Sequence, residues 1–186
     1  MSITRKDAGK VVAGKSQIIG GIGAPNGTGV TAIEGMGEVH TTVIDLSSVA
    51  LTGTDNTIMY FAQKVYDGPA GSILVLGATA DLAIVGSNGV ATSATGDFGL
   101  GSATCDSAGA LSGTDQNIIP STAITLSTFA ADITGRNAAA IAPLDGSSTN
   151  IDYYLNFIID AGSFTSTGTI TVTGTITIAW INLGDY

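Results

Sequence analysis

Charge is scarce in this chain. Charged residues make up 11% of its 186 positions, against roughly 25% in ordinary globular proteins. A surface so poor in ions must be polar through hydroxyls and amides, and it stays soluble only if its sheet edges are covered. Cys105 is the only cysteine and His40 the only histidine. That excludes an intrachain disulfide, and Cys105 reads as a small buried apolar residue, since His40 sits in a strand-like run far away in sequence. Zinc-type ligand spacing is missing, and the acidic residues fall singly rather than in the order of a calcium loop. Asp55 with Asn56, and Asp115 with Gln116 and Asn117, are the places where loop oxygens could gather around Ca²⁺. No cofactor is expected.

Long apolar runs are lacking too. None approaches the roughly eighteen residues of a membrane helix, and Val11 and Val12 give way at once to Gly14 and Lys15 instead of forming a secretory segment. The expectation is a soluble protein, made in the cytoplasm, with no membrane partner. Aromatic residues amount to 6%, few for stacking sugars, and no nucleophile-elbow sequence is present. An enzyme is not expected.

What the chain does have is glycine, serine, threonine and alanine, including 26 glycines. That mixture suits many short strands joined by turns, in one domain able to bury about 70% of its unfolded surface. The longest uninterrupted pattern is Thr167 to Leu183, TGTITVTGTITIAWINL. Ile170, Val172, Ile176, Ile178 and Trp180 share one parity and Thr169, Thr171, Thr173, Thr175 and Thr177 the other, as in a strand with one buried face. Thr and Ile are branched at Cβ and sit well on a pleated surface. So long a strand predicts a bend or bulge near Gly174. Upstream, Ile151, Tyr153, Leu155, Phe157 and Ile159 alternate with Asp152, Tyr154, Asn156 and Asp160. With a Gly162-containing link, the two strands read as a long antiparallel C-terminal hairpin. Trp180, Tyr153 and Tyr154 read as core and subunit-interface residues.

Residues 1–38 read as an extended basic arm followed by glycine-rich loops, and 39–186 as the sandwich domain. Val39 to Leu46 is the first strand expected, and Ser47 to Asn56 is turn-rich. Thr57 to Tyr66 fits a helical face or a strand, and an otherwise all-strand chain favours strand. Ser72 to Leu76 and Asp81 to Val85 are short apolar runs, with Ser87, Asn88 and Gly89 suiting a tight turn before Val90. Residues 91–117 read as a long loop or weak strands. Ile118 to Leu126 resumes the strand pattern, and Pro120 suits an edge. Phe129 to Ile141, with its three alanines at 138–140, suits a helical turn. LTGTDNTI at 51–58 and LSGTDQNI at 111–118 share five of eight residues. We read them as a reused turn motif in which Thr54 or Asp55, and Thr114 or Asp115, bond local backbone amides.

Arg5, Lys6, Lys10 and Lys15 are four of the six basic residues, opposed within the first fifteen positions only by Asp7. The arm therefore carries a formal +3 and, with a net charge of −9, the remainder −12. Such asymmetry points to a basic tail that docks on an acidic surface, a neighbouring copy among the options, or that contacts nucleic acid, the plain alternative being an arm that is simply solvated. The acidic body argues against nucleic acid as a partner. GKVVAGKS at 9–16 satisfies the phosphate-loop pattern, but that chemistry needs a strand before the loop and a helix after it. Neither fits the flanks, where charged residues precede and Gly20, Gly21, Gly23 and Pro25 follow.

The segments NIDYYLNFIIDAG and GTITVTGTITIAWINLGDY resemble the ends of small structural proteins from the head modules of tailed bacteriophages, the capsid decoration or cement proteins. The likeness covers about forty residues, with the Trp180-Ile-Asn-Leu-Gly-Asp185 ending as its most specific part. It implies an all-β, antiparallel, jelly-roll-like sandwich, a homotrimer bound to the major capsid protein on the outer surface of the virion, and no catalytic residues. Arg5, Lys6, Lys10 and Lys15 are then the residues expected to contact partners. The alternative is a tail-fibre or adhesin-like module recognising a host glycan, although no shaft-forming repeat precedes the domain.

Overall fold

The computed structural model describes residues 11–12, 16–17, 24–35, 39–53, 58–87, 89–90, 93–106, 109–126, 130–136, 143–146, 148–160 and 167–184. They form thirteen strands and one short 3-10 turn at Gly113–Asp115. Two short strands, β1 (Val11–Val12) and β2 (Ser16–Gln17), pair antiparallel with each other. This ladder occupies part of the stretch matching the phosphate-loop pattern, in place of the loop and helix start that nucleotide binding requires.

The remaining strands build two antiparallel sheets packed face to face, an all-β sandwich. In the first, β10 (Ala130–Arg136), β7 (Gly71–Ser87), β13 (Thr169–Gly184), β5 (His40–Thr52) and β4 (Val30–Gly35) lie in that order, and β11 (Leu144–Gly146) also pairs with β7. In the second, the order is β3 (Ala24–Pro25), β6 (Met59–Asp67), β12 (Asp152–Ile159), β8 (Thr95–Gly101) and β9 (Ile119–Thr125). The inward side chains of both sheets, among them Trp180, Ile178, Ile44, Leu82, Phe61, Phe98 and Phe157, form one continuous core.

Strand β13 is the centre of its sheet, as its pattern suggests. It pairs with β5 on one side and β7 on the other along most of its length. The bulge expected near Gly174 is present: Val172 pairs with Val49 and Gly174 with Leu46, so Ser47 and Ser48 of β5 oppose Thr173 alone. The extra residue belongs to the partner strand, where Ser48 takes a positive φ of 54° and its N–H donates to Thr173 Oγ1 at 3.3 Å.

Several expectations are corrected. The C-terminal hairpin does not form, because β12 pairs with β6 and β8 while β13 pairs with β5 and β7, in opposite sheets. Both are central strands, and each finds two neighbours only by facing the other across the core. Ser47 to Thr52, read as turn, continues β5 through its bulge. Val30–Gly35, read among the loops, is a strand paired with β5. The runs at 72–76 and 81–85 are parts of the single seventeen-residue β7, and 95–101 is a full strand. In place of a helical turn, 130–136 is a strand paired with β7, while the alanines at 138–140 lie outside the described residues. Met59–Asp67 is the strand expected there, and β9 with Pro120 lies at a sheet edge as its proline requires.

Candidate functional site

Two exposed faces and one clamp carry the polar features of the sandwich. On the outer face of the first sheet, register sets a row across all five strands. Thr31 pairs with Asp45, Asp45 with Thr175, Thr175 with Asp81, and Asp81 with Thr134. Thr175 Oγ1 donates to Asp45 Oδ1 at 2.9 Å. At about 4.8 Å per strand, Asp45 and Asp81 stand about 10 Å apart with Thr175 between them. The threonine periodicity of β13 puts hydroxyls here because the opposite parity is apolar and buried.

Toward the Trp180 end this face becomes apolar. Val39 precedes His40, the partner of Trp180, and Ile181 pairs with Leu74. Leu76 is the extra residue where the β13–β7 register slips between Ala179 and Trp180. The exposed large apolar side chains of the described residues are Val39, Leu76 and Val85, and all three belong to this face.

The second sheet is covered over part of its outer side by the segment 102–118. Asn156 on β12 holds it down: Nδ2 donates to the carbonyls of Ala103 at 2.9 Å and Asp115 at 2.8 Å, and Oδ1 accepts the Cys105 N–H at 3.0 Å. Glycines on β8 make room for the segment, since a Cβ at Gly101 would collide with the backbone of Thr114 and Asp115. Cys105, Leu111 and Ile158 form a small apolar cluster beneath it. Burial pushes the Cys105 thiol up to about 11, so this cysteine is a packing residue and a poor nucleophile at neutral pH.

Asp115, Gln116 and Asn117, weighed above as oxygen ligands for Ca²⁺, are engaged locally. The Asp115 carboxylate accepts the Ser112 N–H, Gln116 Nε2 donates to the Leu111 carbonyl at 2.8 Å, and Asn117 Oδ1 accepts the Ser102 N–H at 2.9 Å. The turn reading of this motif therefore holds for Asp115. Its counterpart at Thr54, Asp55 and Asn56 lies outside the described residues, as do Arg5, Lys6, Lys10 and Lys15. Among the described residues no group of three His, Cys, Asp or Glu side chains is placed to hold a metal ion.

Beyond the clamp, the open part of the same face carries an ion-paired cluster. Lys64 Nζ lies 2.7 Å from Asp67 Oδ1 and 3.3 Å from Asp152 Oδ2. Asn26 Nδ2 donates to Asp67 at 3.1 Å, and the Tyr154 hydroxyl to Asp152 at 3.3 Å. The bond to Asp67 raises the Lys64 ammonium, and Lys64 in turn holds the Asp67 carboxyl below its usual range. Partial burial, then the charge of Asp152, raises the Tyr154 phenol. Tyr154 thus belongs to a surface cluster, whereas Tyr153 and Trp180 are fully buried.

His40 is no surface ligand either. It is buried, its ring stacks on Trp180 with centroids 4.2 Å apart, and Trp180 Nε1 donates to Thr42 Oγ1 at 2.8 Å. Desolvation lowers its pKa below the ordinary 6.5, and Nδ1 finds no partner among the described residues. A lowered folded-state pKa means that the unfolded chain binds the proton more readily, so stability present above about pH 6.5 is lost as pH falls below it. Denaturation midpoints should drop between about pH 7 and pH 5 by the equivalent of about 1.4 kcal/mol per unit of pKa difference. His40→Gln should flatten that slope, and a slope unchanged in the variant would assign it to other groups.

No family model matches the chain, and no curated protein matches it. Among solved structures, a CBM4 structure is similar over 85% of this chain and 93% of its own, at 12% identity and a TM-score of 0.40. An arabinose-bound GH51 α-L-arabinofuranosidase is similar over 84% of this chain but 23% of its own, at 13% identity and a TM-score of 0.37. A family 11 carbohydrate-binding module from Clostridium thermocellum, in complex with a β-1,3-1,4-mixed-linked tetrasaccharide, is similar over 91% of this chain and 100% of its own, at 15% identity and a TM-score of 0.31. Nothing about the ligand or activity of this chain follows from these likenesses.

Proposed function

We propose that this chain is a structural protein of a phage virion that binds the outer capsid surface as a decoration protein and stabilises the shell. The observation that carries the reading is the outer face of the first sheet. It spans five strands and is dressed with threonine hydroxyls, two aspartates and three exposed apolar side chains. Such a face suits many moderate contacts with another protein surface. The phage-like C-terminal segment is the strand on which this face is centred. Its partner in this reading is the major capsid protein, the assembly is a homotrimer, and repeated weak contacts per subunit add up through valency.

The test is co-sedimentation of the purified protein with capsid shells lacking it, the shells also being scored for resistance to heat. Pelleting with the shells and a raised disruption temperature are expected; a protein indifferent to shells would overturn the reading. Replacing Arg5, Lys6, Lys10 and Lys15 together by Ser should lower occupancy, with the deficit shrinking as salt screens the charges. Unchanged occupancy at low salt would remove the arm from the contact.

The cluster of Lys64, Asp67, Asp152, Asn26 and Tyr154 favours a second reading, recognition of a host-surface glycan, because it presents a partly exposed aromatic ring beside fixed polar groups. A glycan array separates the two: binding abolished by Tyr154→Ala would favour the receptor reading, and a blank array the capsid reading.

A further inference from the structure

We infer that the outer face of the first sheet is a docking surface for a second copy of this chain, with the basic arm of that copy lying over Asp45 and Asp81. Three independent observations converge on this face. The first is apolar exposure: Val39 and Leu76 lie at the Trp180 end of this face beside Ile181 and Leu74, and exposed apolar groups gathered in one place mark an interface.

The second is charge. Asp45 and Asp81 are exposed and flank Thr175, and Asp45 accepts a hydrogen bond from the Thr175 hydroxyl, a neutral donor. Of the six cations in the sequence, Lys64 is committed to Asp67 and Asp152 on the other sheet. Arg136 holds a register position on edge strand β10 opposite Thr79, two residues from the partner of Asp81. The other four cations are Arg5, Lys6, Lys10 and Lys15, so the charge that complements this face is concentrated in the arm of the same sequence.

The third is size and reach. Five strands at about 4.8 Å and some twelve residues at about 3.3 Å give a face of roughly 900 Å², enough for the roughly 800 Å² per partner of a standard interface. Of the 23 residues before β3, 11–17 are taken up by the β1–β2 pairing, and the other sixteen can span about 55 Å, ample to cross from one sandwich to its neighbour. An arm-to-face contact joins unlike surfaces, so it closes into a ring or a reciprocal exchange where the rotation between copies allows and otherwise continues as an open chain. This self-association is a different use of the face that the capsid reading assigns to the shell, so the face of any one copy takes one partner or the other, and the test below, run without capsids, decides the self-association by itself.

A charge swap tests the inference, read by light scattering and sedimentation on the full chain without capsids. The unaltered protein is expected to form a closed oligomer that dissociates on dilution more readily at high salt. Reversing the face (Asp45→Lys with Asp81→Lys), or reversing the arm (Arg5→Glu, Lys6→Glu, Lys10→Glu, Lys15→Glu), should each weaken association about tenfold or more. Combining the two should bring it back to within about threefold of the original. Leu76→Ser should weaken it without changing the salt dependence. A monomeric parent protein, single reversals without effect, or a combined variant as weak as either reversal would each overturn the proposal. Thermal unfolding of every variant guards against misfolding, and Asp45→Asn with Asp81→Asn substitutes for the lysine pair if that pair does not fold; a loss of association is expected there too.

Discussion

Replacing Asn156 by leucine is expected to destabilise the protein by about 3 kcal/mol and to release the segment 102–118 from the sheet. Leucine has the same forked skeleton as asparagine but bulkier methyl ends, so the change removes the polarity and adds some crowding at a buried site. It strands two carbonyls, of Ala103 and Asp115, and the Cys105 N–H, all now satisfied by one side chain. An unsatisfied buried group costs about 1–3 kcal/mol, and water entering beneath a partly lifted segment recovers some of that. For a chain of this size the melting temperature should fall by roughly 6–12 °C. Cys105 supplies a local reporter, because its buried thiol should react slowly with a maleimide in the parent and at least about tenfold faster once the segment opens. A melting temperature within about 2 °C of the parent, with unchanged labelling, would mean that Leu111 and Ile158 hold the segment without the amide.

Gly174→Val is the second large effect, expected at 3 kcal/mol or more. Gly174 has φ of 142°, a region L side chains rarely adopt, and a Cβ there would run into the Asp81 carbonyl and the Leu82 Cα of the adjoining strand. The strain has no outlet, because β13 is bonded on both sides and neither neighbour can move without breaking its own ladder. The residue also adjoins the bulge, pairing with Leu46 next to Ser47 and Ser48, so the local twist of the long strands is at stake. Gly174→Ala should show most of the loss, since the backbone angle and first carbon already conflict. Thr171→Val, on the outer face of the same strand, should stay within about 0.5 kcal/mol. Equal losses at both positions in urea unfolding would show that the strand tolerates no change anywhere, and that the glycine is not special.

Legibility in the sequence followed burial. Where one face of a strand is wet, the pattern is readable: Thr167 to Leu183 disclosed its strand, its inward residues and its bulge. Alternation states which face is buried without stating against what, so the same pattern that revealed β12 and β13 made them look like partners in a hairpin. The Phe157-Ile158-Ile159 run was the one signal that β12 is buried on both faces, and with it the only hint that Asn156 lies under a covering segment. Ser47 and Ser48 looked like a turn because a bulge uses the same small polar residues and the same positive φ. The acid–base cluster at Lys64 was invisible, its members being contributed by positions 26, 64, 67, 152 and 154.

The sequence by itself determined that this is an all-β sandwich, that Thr167 to Leu183 is a long strand with one apolar face, and that threonines line one face and Trp180 the other. These follow from local stereochemistry and from the two-residue period of a pleated chain, which any stretch of ten residues displays. Only the tertiary structure decided which strands pair, that Asp45, Thr175 and Asp81 stand in one row, and that every exposed large apolar side chain among the described residues shares that face. Such facts depend for the most part on register between segments distant in sequence, which is set by how the two sheets close over a common core.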